Sequence, residues 1–183
     1  MIYPKLLKPK KNEIIFINNE DQPIPKSNIE LQNWEGRALV DNFGGKPVID
    51  WNGQPVFAEL AILQIFLDEG WDARWVEPYG RPNMSPIFLS DWKSVRYKEQ
   101  DNSPFTNETL NALLKAMAIQ NGNKYGGCWD IVAIKGDKLI FAELKRRSSD
   151  KIRDTQISWL KIGLEFGLTA QNFLLVEWKI INY

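Results

Sequence analysis

The chain predicts an α/β fold, a central mixed β-sheet flanked by helices, and three features carry that expectation. Residues 128–147, CWDIVAIKGDKLIFAELKRR, are two apolar runs joined by KGDK. Residues 172–180, NFLLVEWKI, are one continuous apolar run of the kind found in strands covered on both faces. Segments with apolar residues at helical spacing lie before and between them, so strands and helices alternate along the chain.

At 183 residues and 44% hydrophobic, the sequence is long enough for one core and reads as a single domain with decorations. EIIFIN at 13–18 and VIDWNG at 48–53 read as short strands, separated by a polar, Pro-containing stretch through Lys26. PVFAELAILQIFLDE, residues 55–69, predicts a helix with Pro55 in its first turn, a stripe at Val56, Leu60, Leu63 and Leu67, and Gly70 as its stop. DARWVEPY then reads as a strand.

From Gly80 to Phe105 the polar, Pro-containing sequence shows no sustained period and predicts an irregular insertion. Thr106 is the expected cap of a helix whose face carries Leu110, Leu113, Leu114, Met117 and Ala118, ending at Gly122. SSD at 148–150 supplies cap candidates for a last helix running to about Phe166, with Ile152, Gln156, Trp159, Leu160 and Gly163 on one face. Residues 1–54 are thus expected as an N-terminal β/turn extension packed on a core formed by 55–183, with an insertion at about 78–105.

Composition removes whole classes of chemistry. Histidine is absent, which excludes Ser-His-Asp and Cys-His catalysis and His-ligated zinc. Any catalysis must rest on carboxylates, lysines, tyrosines or a metal held by oxygen. Cys128 is the one cysteine, so neither an intrachain disulfide nor a Cys-built zinc site is available, and a reducing compartment is expected. Lys plus Arg and Asp plus Glu are equal at 23 each, so affinity for a polyanion must come from local clustering. MIYPKLLKPKKNEIIF has no apolar stretch of signal-peptide length, and no run of about 18 apolar residues occurs. A soluble, cytoplasmic protein with no membrane partner is the expectation.

The hairpin raises the sharpest question. With Gly136 and Asp137 at the turn, Asp130 faces Glu143 across the ladder. Val132, Ile134, Leu139 and Phe141 share that face, while Ile131, Ala133, Ile140, Ala142 and Leu144 fill the other. Two carboxylates opposed at roughly 5 Å repel by about 3 kcal/mol at an effective dielectric near 20. Lys145, on the face of Glu143, offsets part of this, and a divalent cation bound to both acids would offset the rest. A cross-strand ion pair of Asp130 with Lys145 at a solvated strand end is the plainer alternative, and the hairpin by itself leaves both open.

A wider set of residues adds to this. YGGCWD, a strand, a turn, a strand ending AELK, a helix bearing the glutamine of DTQISWL and an apolar strand occur in that order, which resembles the PD-(D/E)xK nucleases. Within that superfamily the chain is most similar to the VRR-NUC group and to archaeal-type Holliday junction resolvases, over roughly residues 55 to 180 without the insertion. The resemblance implies a restriction-endonuclease-like core. It implies that Asp130 and Glu143 bind a catalytic Mg²⁺ or Mn²⁺, with the backbone carbonyl of Leu144 as a further ligand. Lys145 would position or activate the attacking water, and Gln156 would support the site. Glu59 matches the metal-site glutamate that related nucleases carry on their first core helix. Trp129 stands where the family usually has proline.

The expected function is therefore metal-dependent hydrolysis of phosphodiester bonds in DNA, duplex or structure-specific, by an endonuclease working alone, as a homodimer or with an accessory protein. Phosphodiester hydrolysis needs a strong nucleophile and relief of phosphate charge, which a divalent metal on two carboxylates helps to supply. Arg146, Arg147, Lys151 and Arg153 form a basic cluster that reads either as phosphate contacts or as an ordinary solvated face. Two rivals belong to other classes. One is a nuclease-like module that binds DNA or a protein without cutting. Trp34, Trp51 and Trp92, in the less regular regions, are the candidate stacking surfaces for bases or sugar rings, and the other rival is a carbohydrate-active enzyme using two carboxylates and tryptophan platforms. The E-x-K spacing and the glutamine helix argue against the latter.

Overall fold

A computed structural model describes residues 3–37, 39–78 and 86–181. Among these residues the protein is α/β, with nine strands in one mixed sheet and three α-helices on its two faces. The strands are β1 (Lys11–Ile17), β2 (Glu20–Asn33), β3 (Val48–Trp51), β4 (Gln54–Phe57), β5 (Asp72–Glu77), β6 (Ile87–Leu89), β7 (Ile131–Lys135), β8 (Lys138–Arg146) and β9 (Phe173–Ile181). The helices are α1 (Ala58–Asp68), α2 (Glu108–Gln120) and α3 (Asp154–Glu165). The sheet runs β4-β3-β2-β9-β8-β7-β5-β6, with β1 paired to β2. β9 is parallel to both β2 and β8, and the remaining pairs are antiparallel.

The hairpin forms in the expected register. Gly136 takes the left-handed φ of +61° that a tight turn needs, and Ile131 pairs with Ala142 while Lys135 pairs with Lys138. Strand alternation then divides the core. Ile131, Ala133, Ile140, Ala142 and Leu144 pack on the α1 face with Ala58, Ala61, Ile62 and Phe66. Val132, Leu139 and Phe141 pack on the opposite face with Leu114, Met117, Trp159 and Leu160 of α2 and α3. β7 and β8 are covered on both sides because neither face carries a solvated polar row. The closing apolar run is likewise the central strand β9, between β2 and β8.

Four expectations need correction. Pro55 and Val56 lie in β4, not in the helix, and α1 begins at Ala58. Proline is tolerated there because β4 is an edge strand whose outer side needs no ladder donor. The polar stretch before Lys26 belongs to the longest strand, β2, whose charges are met by neighbours: Lys26 Nζ reaches Glu13 at 3.0 Å and Glu177 at 2.8 Å, and Glu30 pairs with Lys179 at 2.7 Å. Asn107, not Thr106, caps α2, its Oδ1 accepting from Leu110 N at 2.9 Å. Residues 148–150 close a tight turn in which Asp150 Oδ2 accepts from Arg146 N at 3.1 Å, so α3 starts only at Asp154.

The region expected as an irregular insertion contains β6 and a short 3-10 turn, and otherwise lacks regular structure among its described residues. Gln100, 7% exposed, organises it locally: its amide donates to the carbonyls of Lys93 at 2.8 Å and Val95 at 3.1 Å and accepts from Lys93 N at 2.8 Å. Residues 79–85, within that insertion, lie outside the described residues. Residues 1–54 contribute β1, β2, β3 and the first residue of β4 to the same sheet as the rest of the chain. No helix among the described residues is long and apolar enough to cross a membrane.

Candidate metal centre

The two acids meet at one end of the central strands. Asp130 sits just before β7, held from both sides: its carbonyl accepts from Val76 N of β5 at 2.8 Å, and its Oδ2 accepts from Leu144 N of β8 at 2.9 Å. Glu143, opposite it on β8, is only 2% exposed. Its Oε1 accepts from Gln156 Nε2 at 2.6 Å and from Lys145 Nζ at 2.9 Å. Its Oε2 is buried without a hydrogen-bond donor.

Gln156 ties the strand to α3. Its Oε1 accepts from Lys145 Nζ at 2.9 Å and from Arg153 N at 2.8 Å, so the amide is fixed with its NH₂ toward Glu143. The arrangement also caps α3, since the first backbone donor beyond the helix is satisfied by a side chain three residues on. Trp129 completes the junction: fully buried against Phe173, it donates from Nε1 to the Gln156 carbonyl at 3.1 Å.

Gly127 explains the glycine loop ahead of the acid. Its φ is +89°, and a Cβ there would come within 2.2 Å of the Thr155 carbonyl oxygen. Only glycine lets this loop lie on the first turn of α3 and present Asp130 beside Glu143.

Electrostatics separates these groups from ordinary surface acids. Burial, then the Glu59 charge, pushes Asp130 up to about 6 against the pull of Lys46, the Leu144 amide and Lys145. Burial, then Asp130, raises Glu143 well above the usual carboxylate range, with Lys145 opposing. Burial, then Glu143 and Asp130, also raises the Cys128 thiol, which stays neutral and is no nucleophile at pH 7. The plainer sequence alternative fails on two counts: Glu143 is buried rather than at a solvated end, and the ammonium of Lys145 bonds Glu143, not Asp130.

These residues line a cleft of about 460 Å³ that also takes in Glu59, Lys46, Glu77, Lys151 and Arg153. Glu59, in the first turn of α1, is ion-paired with Lys46. Sequence reasoning missed Lys46, which lies in a segment without period, where no spacing rule links it to position 59 or 130. The basic cluster is split. Lys151 and Arg153 line the acid cleft, Arg146 lies over the Trp178 ring at 5.7 Å and lines an adjoining cavity of about 240 Å³, and Arg147 turns toward Glu177 at 3.9 Å. None of the tryptophans expected as ligand platforms lines the acid cleft: Trp92 stacks on Trp75 and Tyr97, Trp34 donates to the Arg37 carbonyl at 2.9 Å, and Trp51 lies beside β2 in a separate cavity.

Among the described residues, no group of three or more His, Cys, Asp or Glu side chains is spaced to hold a metal. A two-carboxylate donor set remains. The buried, donor-less Oε2 of Glu143 beside Asp130 fits a hard cation such as Mg²⁺, which keeps several waters and takes one or two protein carboxylates. No family model, curated protein or solved structure matches the chain.

Proposed function

We propose that the protein is a divalent-metal-dependent nuclease acting on DNA, with a restriction-endonuclease-like core formed by α1, β5, β7, β8, α3 and β9. The observation that carries this reading is Glu143: a buried carboxylate beside Asp130, with one oxygen bound by Lys145 and Gln156 and the other without a donor. A buried charge left half-satisfied is costly unless a ligand completes it. The order of the elements supports the same reading, since a glycine loop, an acid, two strands, a glutamine helix and an apolar strand build one connected site.

Asp130 and Glu143 would hold Mg²⁺ or Mn²⁺, with the carbonyl of Leu144 as a further ligand. When bound, the cation would relieve charge on the phosphate and help activate the attacking water. Lys145 spends two hydrogens of its ammonium on Glu143 and Gln156, which fixes it at the cleft where its third can orient a water. Gln156 holds Glu143 and Lys145 in mutual register. Lys151 and Arg153 offer positive charge to the DNA backbone from the cleft wall, with Arg146 on the neighbouring face.

Labelled duplex, single-stranded, flap and junction DNA incubated with Mg²⁺, Mn²⁺ or EDTA tests this directly. The reading expects cutting of at least one substrate with metal, none with EDTA and none by Glu143→Gln. A folded protein that binds DNA but cuts nothing under any of these conditions would be the non-cleaving module instead.

A further inference from the structure

We propose that Lys46 is a tethered counter-ion that withholds Glu59 from the acidic cleft, so that the site takes a single divalent cation between Asp130 and Glu143. This rests on the metal-site reading above and goes beyond it, because the Glu59 carboxylate on the cleft wall would otherwise widen or double the cation site.

The two lysines divide the acids between them. Lys145 is committed to Glu143 and Gln156, and Lys46 is committed to Glu59. Of Glu59, Asp130 and Glu143, that leaves Asp130 and the donor-less Oε2 of the 2%-exposed Glu143 without a direct ammonium contact, although the charges of Lys46 and Lys145 both act on Asp130. Cation binding to Glu59 must displace an ammonium that is covalently part of the chain and cannot diffuse away.

The ammonium is also built into place. It lies 5.6 Å from the centre of the Phe43 ring and 5.1 Å from that of Trp75, both within cation–π range. Its own backbone N donates to the Asn42 carbonyl at 2.9 Å. Asp41 clasps this segment to the insertion, accepting from Phe43 N and from Tyr97 N, each at 2.8 Å. Phe43 then packs on Tyr97 at 4.6 Å between ring centres. The N-terminal region and the insertion therefore cooperate to hold one positive charge over α1.

Mn²⁺ binding to the full chain at pH 7.5, measured by titration calorimetry and by the spin resonance of free Mn²⁺, tests the proposal without reference to cleavage. Wild type should take one Mn²⁺. Lys46→Met, which keeps the apolar stem over the two rings, should bind at least about tenfold tighter or take a second ion, because the positive charge paired with Glu59 and acting on Asp130 is removed. Lys46→Met combined with Glu59→Gln should return to wild-type stoichiometry and affinity, and Lys46→Arg should match wild type. Unchanged Mn²⁺ binding in Lys46→Met overturns the proposal, and so do two Mn²⁺ per wild-type chain, a result that needs no variant. If Lys46→Met does not fold, Lys46→Gln makes the same comparison. Binding by neither wild type nor the Lys46 variant overturns the metal site itself, a separate outcome from failure of the counter-ion alone.

Discussion

Glu143 is placed where a carboxylate is least comfortable. It is buried, it faces Asp130, and Lys145 and Gln156 satisfy only one of its oxygens. Breaking a buried ion pair usually destabilises by several kcal/mol, but here the same change also removes one member of a repelling pair. Glu143→Gln should therefore leave metal-free stability within about 1 kcal/mol of wild type, or raise it, by urea unfolding. A loss of about 3 kcal/mol or more in metal-free protein would instead make the Lys145 contact the reason for the residue.

The sign of the pH dependence follows from the same burial. Asp130, raised to about 6, keeps its proton in the folded protein over a range where the unfolded chain has lost it. The folded state then binds more protons than the unfolded one, so metal-free stability should fall as pH rises from about 4 through 6, and Glu143 extends the fall to higher pH. Glu177, held down by Lys26, acts in the opposite sense at and below the ordinary carboxylate range, outside most of this window. Urea midpoints from pH 4 to 8 should show the decline in wild type and a shallower one in Asp130→Asn. At this scale the sequence was informative about Asp130, Glu143 and Lys145, because the two-residue strand period and the Gly136 turn place them together. It was silent on Lys46, whose position depends on Asp41 and an aromatic cluster far along the chain.

Among the elements, the junction of the Gly127 loop with α3 positions Asp130. Gly127→Ala meets both a left-handed φ and the Thr155 carbonyl, so it should destabilise by roughly 2–4 kcal/mol and weaken metal binding together. Gln156→Ala removes the partner of Glu143, Lys145 and the Arg153 amide at once and should cost about 1–3 kcal/mol, with a larger fall in turnover than in DNA affinity. Equal loss of both would make Gln156 a structural cap only. Element register was legible where one signal dominated, as in the hairpin and in the β9 run. Element starts were less so. Pro55 is equally at home in a helix first turn and on a sheet edge, and Thr106 and Asn107 are neighbouring cap residues that only the fold distinguishes.

At the scale of the whole molecule, a nine-stranded sheet with helices on both faces brings the ends of β7 and β8 and the first turns of α1 and α3 to one cleft. The α/β class, a sheet flanked by helices, was expected from the sequence, and the apolar hairpin was expected near its centre; the inclusion of residues from before position 54 in the same sheet was not. The role of β2 was hidden because its charges, Lys26 and Glu30, find partners only on strands distant in sequence. The buried acid pair at this cleft is the proposed divalent-cation site. Thermal unfolding at pH 7.5 in rising Mn²⁺, wild type against Asp130→Asn, tests it most directly. At about a hundredfold excess over Kd, binding adds about 2.7 kcal/mol, a rise of about 5–10 °C for a domain of this size. A saturable rise in wild type that Asp130→Asn lacks is the expected result; no shift in wild type, or an equal one in both, would rule the cation site out.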